Sequence, residues 1–219
     1  MHVLAALVLA ALPVHPGPAH FVGHVDNPWF PLRPGTTYVY RGAQEGDPVR
    51  DTVRVLRSTR RIQGVRCTAV RDQVFVKGRL AERTTDYYAQ DDRGTVWYFG
   101  EQTAELDAHG KVTSTEGSWL AGVHGAKPGL FMPAHPRLGQ SGRQEYYKGH
   151  AEDRFKVIGL FNTVSPRGPA NTLLTEETTP LEPGTVDHKF YVLGIGNVLE
   201  QTERGGNERN ELVSVTQMG

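Results

Sequence analysis

Cysteine is almost absent. Cys67 is the one thiol in 219 residues, so no internal disulfide can form and no thiol-based metal site or redox pair is available. Charge of either sign is not in surplus, since Lys and Arg total 24 and Asp and Glu also total 24. Without a basic excess there is no broad face to neutralise phosphates, which argues against a nucleic-acid partner and against binding to an anionic membrane surface. The arginines at Arg54, Arg57, Arg60 and Arg61 read as the solvated side of a strand. Past the N-terminus, no stretch is long and apolar enough for a membrane-spanning helix. Sustained 3.6-residue periodicity with caps is also missing, so helix is expected to be scarce. Several catalytic signatures are lacking: a Gly-x-Ser-x-Gly elbow, a Gly-x-x-x-x-Gly-Lys-Ser/Thr loop and a His-Glu-x-x-His helix. Gly194-Ile195-Gly196 is a fragment in a turn and does not make a dinucleotide loop.

What is present begins with an address. Val3 to Leu12 is an almost unbroken apolar run, followed by Pro13, Pro16, Gly17, Pro18 and Ala19. No Lys or Arg precedes the run, but the apolar stretch and the small residues before a break fit a secretory signal cleaved after Ala19. Residues 1–19 are therefore expected to be a signal peptide, and the mature chain to be secreted or periplasmic. No Cys follows the run, so a lipid anchor is not expected. Residues 20–219 suit a single domain with a sizeable core.

From Thr36 the rhythm is β. Thr, Val, Tyr, Phe and Ile dominate, and turns recur about every ten residues, as in a meander, sandwich or barrel. Gly46-Asp47-Pro48, Gln63-Gly64, Lys77-Gly78, Asp92-Arg93-Gly94 and Pro183-Gly184 mark turns. A five-strand pattern occurs twice, over about 34–100 and about 138–203. Each copy opens on an aromatic strand ending in Gly (Tyr38-Val39-Tyr40-Arg41-Gly42; Tyr146-Tyr147-Lys148-Gly149). Each continues through an Asp-led strand (Asp51–Val55; Asp153–Val157). Each closes on an aromatic strand, a Gly turn and an apolar strand (Tyr87 to Trp97; Phe190 to Leu199). The expected fold is all-β: a curled antiparallel sheet or barrel of two similar five-strand meanders, with a long irregular insert between them. The Pro- and aromatic-rich segment His20–Pro34 is expected to be extended or turn backbone rather than helix, with Trp29 and Phe30 plugging one end of the sheet.

The alternation is not clean. Asp51 shares a face with Val49, Val53 and Val55, and Thr172–Thr179 turns polar on both faces. A lone buried charge is costly, so polar residues on an inner face require paired charges or a wet cavity. A sheet curled around a partly polar cavity meets that requirement.

The insert, about 101–137, carries Trp119, Val123, Leu130, Phe131 and Met132, too apolar for disorder. It reads as an ordered cover on one opening of the sheet, with either a functional or a plugging role. Trp119, Phe131, Met132 and Tyr147, with Glu116 and Glu145 nearby, provide an apolar lining with polar anchors, the chemistry of a ligand pocket. The same residues also suit an ordinary aromatic core. Glu116, Glu145 and Asp153 admit a hydrolase or lyase, but carboxylates interleaved with Arg143, Arg154 and Lys156 read more readily as surface ion pairs. Cys67, between Val65 and Ala69 on one face, reads as a small buried hydrophobe. Among the nine histidines, His20 and His24 lie near the expected mature end without a fixed third ligand, and His124, His135 and His150 are spread over turns. No metal and no cofactor is expected.

Val25-Asp26-Asn27-Pro28-Trp29-Phe30-Pro31-Leu32, Trp97-Tyr98-Phe99-Gly100-Glu101, Glu116-Gly117-Ser118-Trp119 and Gln144-Glu145-Tyr146-Tyr147 resemble an uncharacterised family of exported bacterial all-β proteins. The resemblance covers nearly the whole mature chain and implies secretion. At fold level, the strand–Gly–strand unit is similar to curled-sheet periplasmic lipoprotein-localisation carriers, which hold acyl chains in a half-barrel, although two copies depart from a simple half-barrel. The function expected from these readings is non-catalytic binding of a small-molecule or lipid ligand. A hydrolase or lyase, and a structural or interaction module of the cell envelope, stand as alternatives.

Overall fold

A computed structural model describes residues 15–165 and 168–218. Most of the expected signal segment, residues 1–14, lies outside the described residues. Pro18–His20 form a short 3-10 turn, and no α-helix occurs among the described residues.

The first meander contains β1 (Thr36–Gln44), β2 (Asp47–Ile62), β3 (Val65–Val76), β4 (Arg79–Gln90) and β5 (Val96–Leu106), each antiparallel to the next. Gln63-Gly64 and Lys77-Gly78 form hairpins as expected, whereas the first turn is Glu45-Gly46, with Asp47 and Pro48 already paired in β2. Glu45-Gly46, Gln63-Gly64 and Lys77-Gly78 all have positive φ at both positions, the geometry that matches the twist of the flanking strands. The insert is less irregular than its composition suggests. It contributes β6 (Val112–Ser114), β7 (Trp119–Leu120) and β8 (Lys127–Met132), which pair in turn along the free edge of β5.

The second meander contains β11 (Arg154–Ser165), β12 (Gly168–Thr178), β13 (Val186–Val192), β14 (Gly196–Arg204) and β15 (Arg209–Gln217), again each antiparallel to the next. It occupies 154–217, later than the stretch 138–203 expected from the aromatic-Gly pattern. Tyr146 belongs instead to a two-residue strand with a different task.

Two seams join the meanders. At the first, β1 pairs antiparallel with β15, Tyr38 opposite Val215 and Gly42 opposite Asn210. At the second, one continuous segment serves both edges. Its first half, β9 (Ser141–Arg143), pairs with β11, and its second half, β10 (Glu145–Tyr146), pairs with β8. The result is one large antiparallel sheet, nearly closed and barrel-like. Closure removes exposed edges that would otherwise present unpaired N–H and C=O groups.

Both seams have a glycine where the backbones approach. A Cβ at Gly42 would lie 1.6 Å from the Arg209 carbonyl oxygen, and one at Gly129 would lie 2.0 Å from the Gln144 carbonyl oxygen. Neither contact can be relieved by a side-chain rotation, because the obstacle is backbone.

The hydrophobic core fills one part of the interior and includes Val55, Val65, Val96, Phe99, Val157 and Leu173, all essentially inaccessible. The Pro-rich segment before β1 packs on the sheet as a plug. Phe30 sits 5.1 Å from Tyr88 and 4.5 Å from Phe131, ring centre to ring centre. Asn27 anchors it. The Asn27 Nδ2 donates to the carbonyls of Gly94 and Pro133, and its Oδ1 accepts from the N–H groups of Trp29 and Phe30.

Gly129→Ala is expected to destabilise the protein by about 2–3 kcal/mol, the cost of overpacking against a fixed neighbour. Gly23→Ala, whose added carbon would meet nothing closer than 3.7 Å, should change stability by less than about 0.5 kcal/mol. Urea unfolding midpoints measure both.

Candidate functional site

Residues directly opposite in an antiparallel pair share a face of the sheet, so the register shows which side chains enter the barrel. Tyr40 on β1 lies opposite Asp51 on β2. Val70 on β3 lies opposite Asp86 on β4, which in turn lies opposite Glu101 on β5. On the other side, Asn210 faces Glu200, Glu200 faces Lys189, and Lys189 faces Thr175. Polar and acidic residues from both meanders therefore project into one interior.

Two adjoining cavities occupy it. The first, about 170 Å³, lies beneath the plug residues Phe30 and Leu32. Tyr38, Tyr40, Tyr88, Phe131 and Tyr191 supply aromatic wall. Its polar wall is Asp51, Asp72 and Asp86 from one meander and Asn197, Glu200 and Asn210 from the other. The second cavity, about 250 Å³, is lined by Glu101, Glu145, Asp153 and Glu177, with His150 and Glu182 also on its wall. Lys189 and Glu200 line both cavities. The Lys189 Nζ lies 2.9 Å from Glu177 and 3.5 Å from Glu200.

Burial disfavours the charged carboxylate, and crowding of like charges adds to it. Burial and then the Glu145 charge push Glu101 up to about 9. Burial and then the Asp153 charge push Glu145 up to about 8. Asp86 is pushed up to about 7 by burial and then by Asp72. Burial alone would lower Lys189, but Glu177 and Glu200 outweigh it and raise the ammonium well above its ordinary value. Glu200 nevertheless keeps 42% of its side chain accessible, because it borders open cavity rather than packed atoms.

Hydrogen bonding agrees with protonated carboxyls. The Tyr98 hydroxyl lies 2.6 Å from Asp86 Oδ1 and 3.1 Å from Glu101 Oε2. One hydroxyl proton cannot serve both bonds, so one carboxyl must supply its own. Asp51 and Asp72 share a hydrogen bond, and burial raises both, Asp72 further. A bond between two carboxyls also needs a proton on one of them.

The residues singled out from sequence are distributed unevenly over this interior. Phe131 lines the first cavity and Glu145 the second. Glu116 stands exposed at the rim, where its Oε1 is 2.9 Å from Nδ1 of His150, and Tyr147 stacks on the same imidazole at 4.4 Å. Trp119 is buried edge-on against Tyr98 at 5.4 Å. Its Nε1–H faces the Glu145 carboxyl without reaching full hydrogen-bond geometry. Met132 is a core residue, 1% exposed. Of the three carboxyls weighed for acid–base chemistry, Glu145 and Asp153 share the second cavity and Glu116 does not line it. His20 pairs with Asp92 and His24 with Asp26, so the two imidazoles have separate partners.

Sequence reasoning did not single out Asp72, Asp86, Glu101, Glu177, Lys189 or Glu200. The usable signal was the one Asp51 gave, an acid on the valine face of a strand. Extending that test to β3, β4, β13 and β14 needs their register.

No family model matches the chain, and no curated protein matches it. Two solved structures are similar. One is described as an exported protein with a YmcC-like fold from Bacteroides fragilis, 13% identical, covering 86% of this chain and 99% of that one, with a TM-score of 0.47. The other is described as a lipoprotein from Parabacteroides distasonis, 9% identical, covering 86% of this chain and 98% of that one, with a TM-score of 0.45.

The raised carboxyls set a pH dependence. Glu101 and Glu145 bind protons in the folded state at pH values where the unfolded chain has released them. Their stabilising effect is full below their ordinary values near 4.5 and is lost as pH rises through about 8 and about 9. Stability therefore falls with rising pH across this window. The melting temperature should drop between about pH 5 and about pH 9, and Glu101→Gln or Glu145→Gln should flatten the slope. Calorimetry across that range reads the difference.

Proposed function

We propose that this is an exported, non-catalytic binding protein that holds a small polar ligand in the first barrel cavity. Export is supported by the apolar run Val3–Leu12 and the Pro/Gly/Ala break after it. Binding is supported above all by one observation: a partly enclosed cavity of about 170 Å³ with aromatic walls on which polar side chains from both meanders converge. Ligand sites combine these features, an apolar body for contact area and a few polar groups for orientation.

Size and polarity narrow the reading. An apolar cavity of about 150 Å³ suffices for a benzene-sized molecule, so the occupant is small. A lipid acyl chain offers no partner for Asp51, Asp72, Asn197 or Asn210, and burying those groups against hydrocarbon is costly. Among the two ligand classes that the sequence left open, the small polar molecule is favoured over the lipid.

Native mass spectrometry on protein isolated from its own host tests the reading. The mature chain should begin at His20 and carry a low-mass adduct released on unfolding. Val53→Phe, which fills the cavity from β2, should abolish the adduct while keeping a cooperative melting transition. A wild-type protein without any adduct, whose melting is unmoved by a host metabolite extract, would overturn it.

A further inference from the structure

Resting on the binding reading above, we infer that the ligand of the first cavity is an organic cation bearing N–H donors, an alkylammonium or guanidinium group, seated between Asp51 and Asp72. The deciding observation is a set of oxygens short of donors. Asn197 Oδ1 and Asn210 Oδ1 are shielded from solvent and have no hydrogen-bond partner, and Asp51 Oδ1 and Asp72 Oδ1 are shielded too, with no donor beyond the proton that the two carboxyls share. All of these residues line this cavity. Buried polar atoms are normally paired, and each exception requires an explanation. Here the unmet groups are acceptors of one chemical kind, contributed by β2, β3, β14 and β15, so what the wall lacks is donors. The terminal torsions of Asp and Asn are broad, so small rotations turn these oxygens to the cavity without moving a strand.

Charge selects among donor-rich ligands. Lys189 is engaged with Glu177 and Glu200, which leaves the Asp51–Asp72 pair without a counter-charge of its own. An anion would be repelled. A neutral polyol would offer donors but leave the carboxylate charge uncompensated. An ammonium or guanidinium meets both needs, and hydrogen bonds to charged groups are the strong ones. The tyrosine rings of the wall add favourable faces for a cation. The described residues contain no group of three or more His, Cys, Asp or Glu side chains arranged to hold a metal ion, so the geometry favours an organic cation.

The same arrangement makes binding proton-linked. Without a cation, Asp51 and Asp72 hold a proton between them, in the combined field of Glu82, Asp86 and Glu200, with Tyr40 alongside and Lys189 across the cavity. A cation entering between the carboxyls displaces that proton. Affinity therefore rises with pH, and binding releases protons to the buffer.

Titration calorimetry at about pH 6 and about pH 8 tests this with n-butylammonium, butane-1,4-diamine and agmatine. Tetramethylammonium, a cation without N–H donors, glucose and decanoate serve as comparisons. The amine and guanidinium probes should bind at least about tenfold more tightly than the comparisons, more tightly at the higher pH, and with proton release. Asp51→Asn and Asp72→Asn, near-isosteric changes, should each weaken binding by about tenfold or more with melting retained. Glucose or decanoate binding that survives Asp72→Asn but not Val53→Phe would overturn the cationic assignment and leave the cavity as a binding site. Failure of every probe at millimolar concentration would overturn the cationic assignment, and an adduct-free wild type would remove the binding reading with it.

Discussion

Closure of the sheet is the constraint on which everything else depends. Ten long strands in two consecutive meanders would leave two free edges, each a row of unpaired backbone donors and acceptors. The protein covers the β5 edge with β6, β7 and β8, and joins β8 to the β11 edge with Ser141–Tyr146, which hydrogen-bonds β11 through its first residues and β8 through its last. That segment works because Gly129 lets the Gln144 carbonyl approach. At the opposite seam, Gly42 does the same for Arg209. If either seam opened, the acidic interior would become ordinary solvated surface, and the cavities would cease to exist as enclosed sites.

An enclosed interior rich in carboxyls creates an electrostatic problem that packing cannot solve. Part of it is met by Lys189, which the register places beside Glu200 and which also reaches Glu177. The rest is met by protons. Glu101, Glu145 and Asp86 are shifted upward, and Tyr98 bridges two carboxyls that cannot both be ionised and both accept from it. The two cavities differ in how completely this succeeds. The second contains the Lys189 ion pair with Glu177 at its wall. The first retains carboxyl and amide oxygens that no protein N–H or hydroxyl serves, so its polar wall is less fully compensated than that of the second.

Much of the architecture was legible in local signals. The Gln63-Gly64 and Lys77-Gly78 pairs marked hairpins because both positions take positive φ, a conformation that glycine adopts without steric cost. Asn27–Pro34 read as a plug because proline forbids helix and the aromatics needed cover, and Phe30 does pack on Tyr88 and Phe131. The insert was harder. Trp119 and Met132 suggest an irregular cover by their surroundings, yet they lie in strands on the edge of β5, one only two residues long and the other with burial that does not alternate. The second meander likewise begins at Arg154, later than the aromatic pattern suggests. Tyr146-Tyr147 repeats the aromatic pattern of Tyr38–Tyr40, but pattern does not reveal which neighbour a strand will find.

The order of residues is enough to establish a β protein with glycine-punctuated hairpins, an apolar run at Val3–Leu12, and an inner face that cannot be wholly apolar, since Asp51 shares its side with valines. These properties follow from preferences that operate within a few residues. The pairing of β1 with β15, the double use of Ser141–Tyr146, and the meeting of Asp51 and Asp72 with Asn197 and Asn210 join positions far apart in the chain. They are fixed by which backbone edges find each other and in what register. A shift of one residue turns every side chain of a strand to the opposite face, so the content of the cavity exists only once the long-range pairing is set.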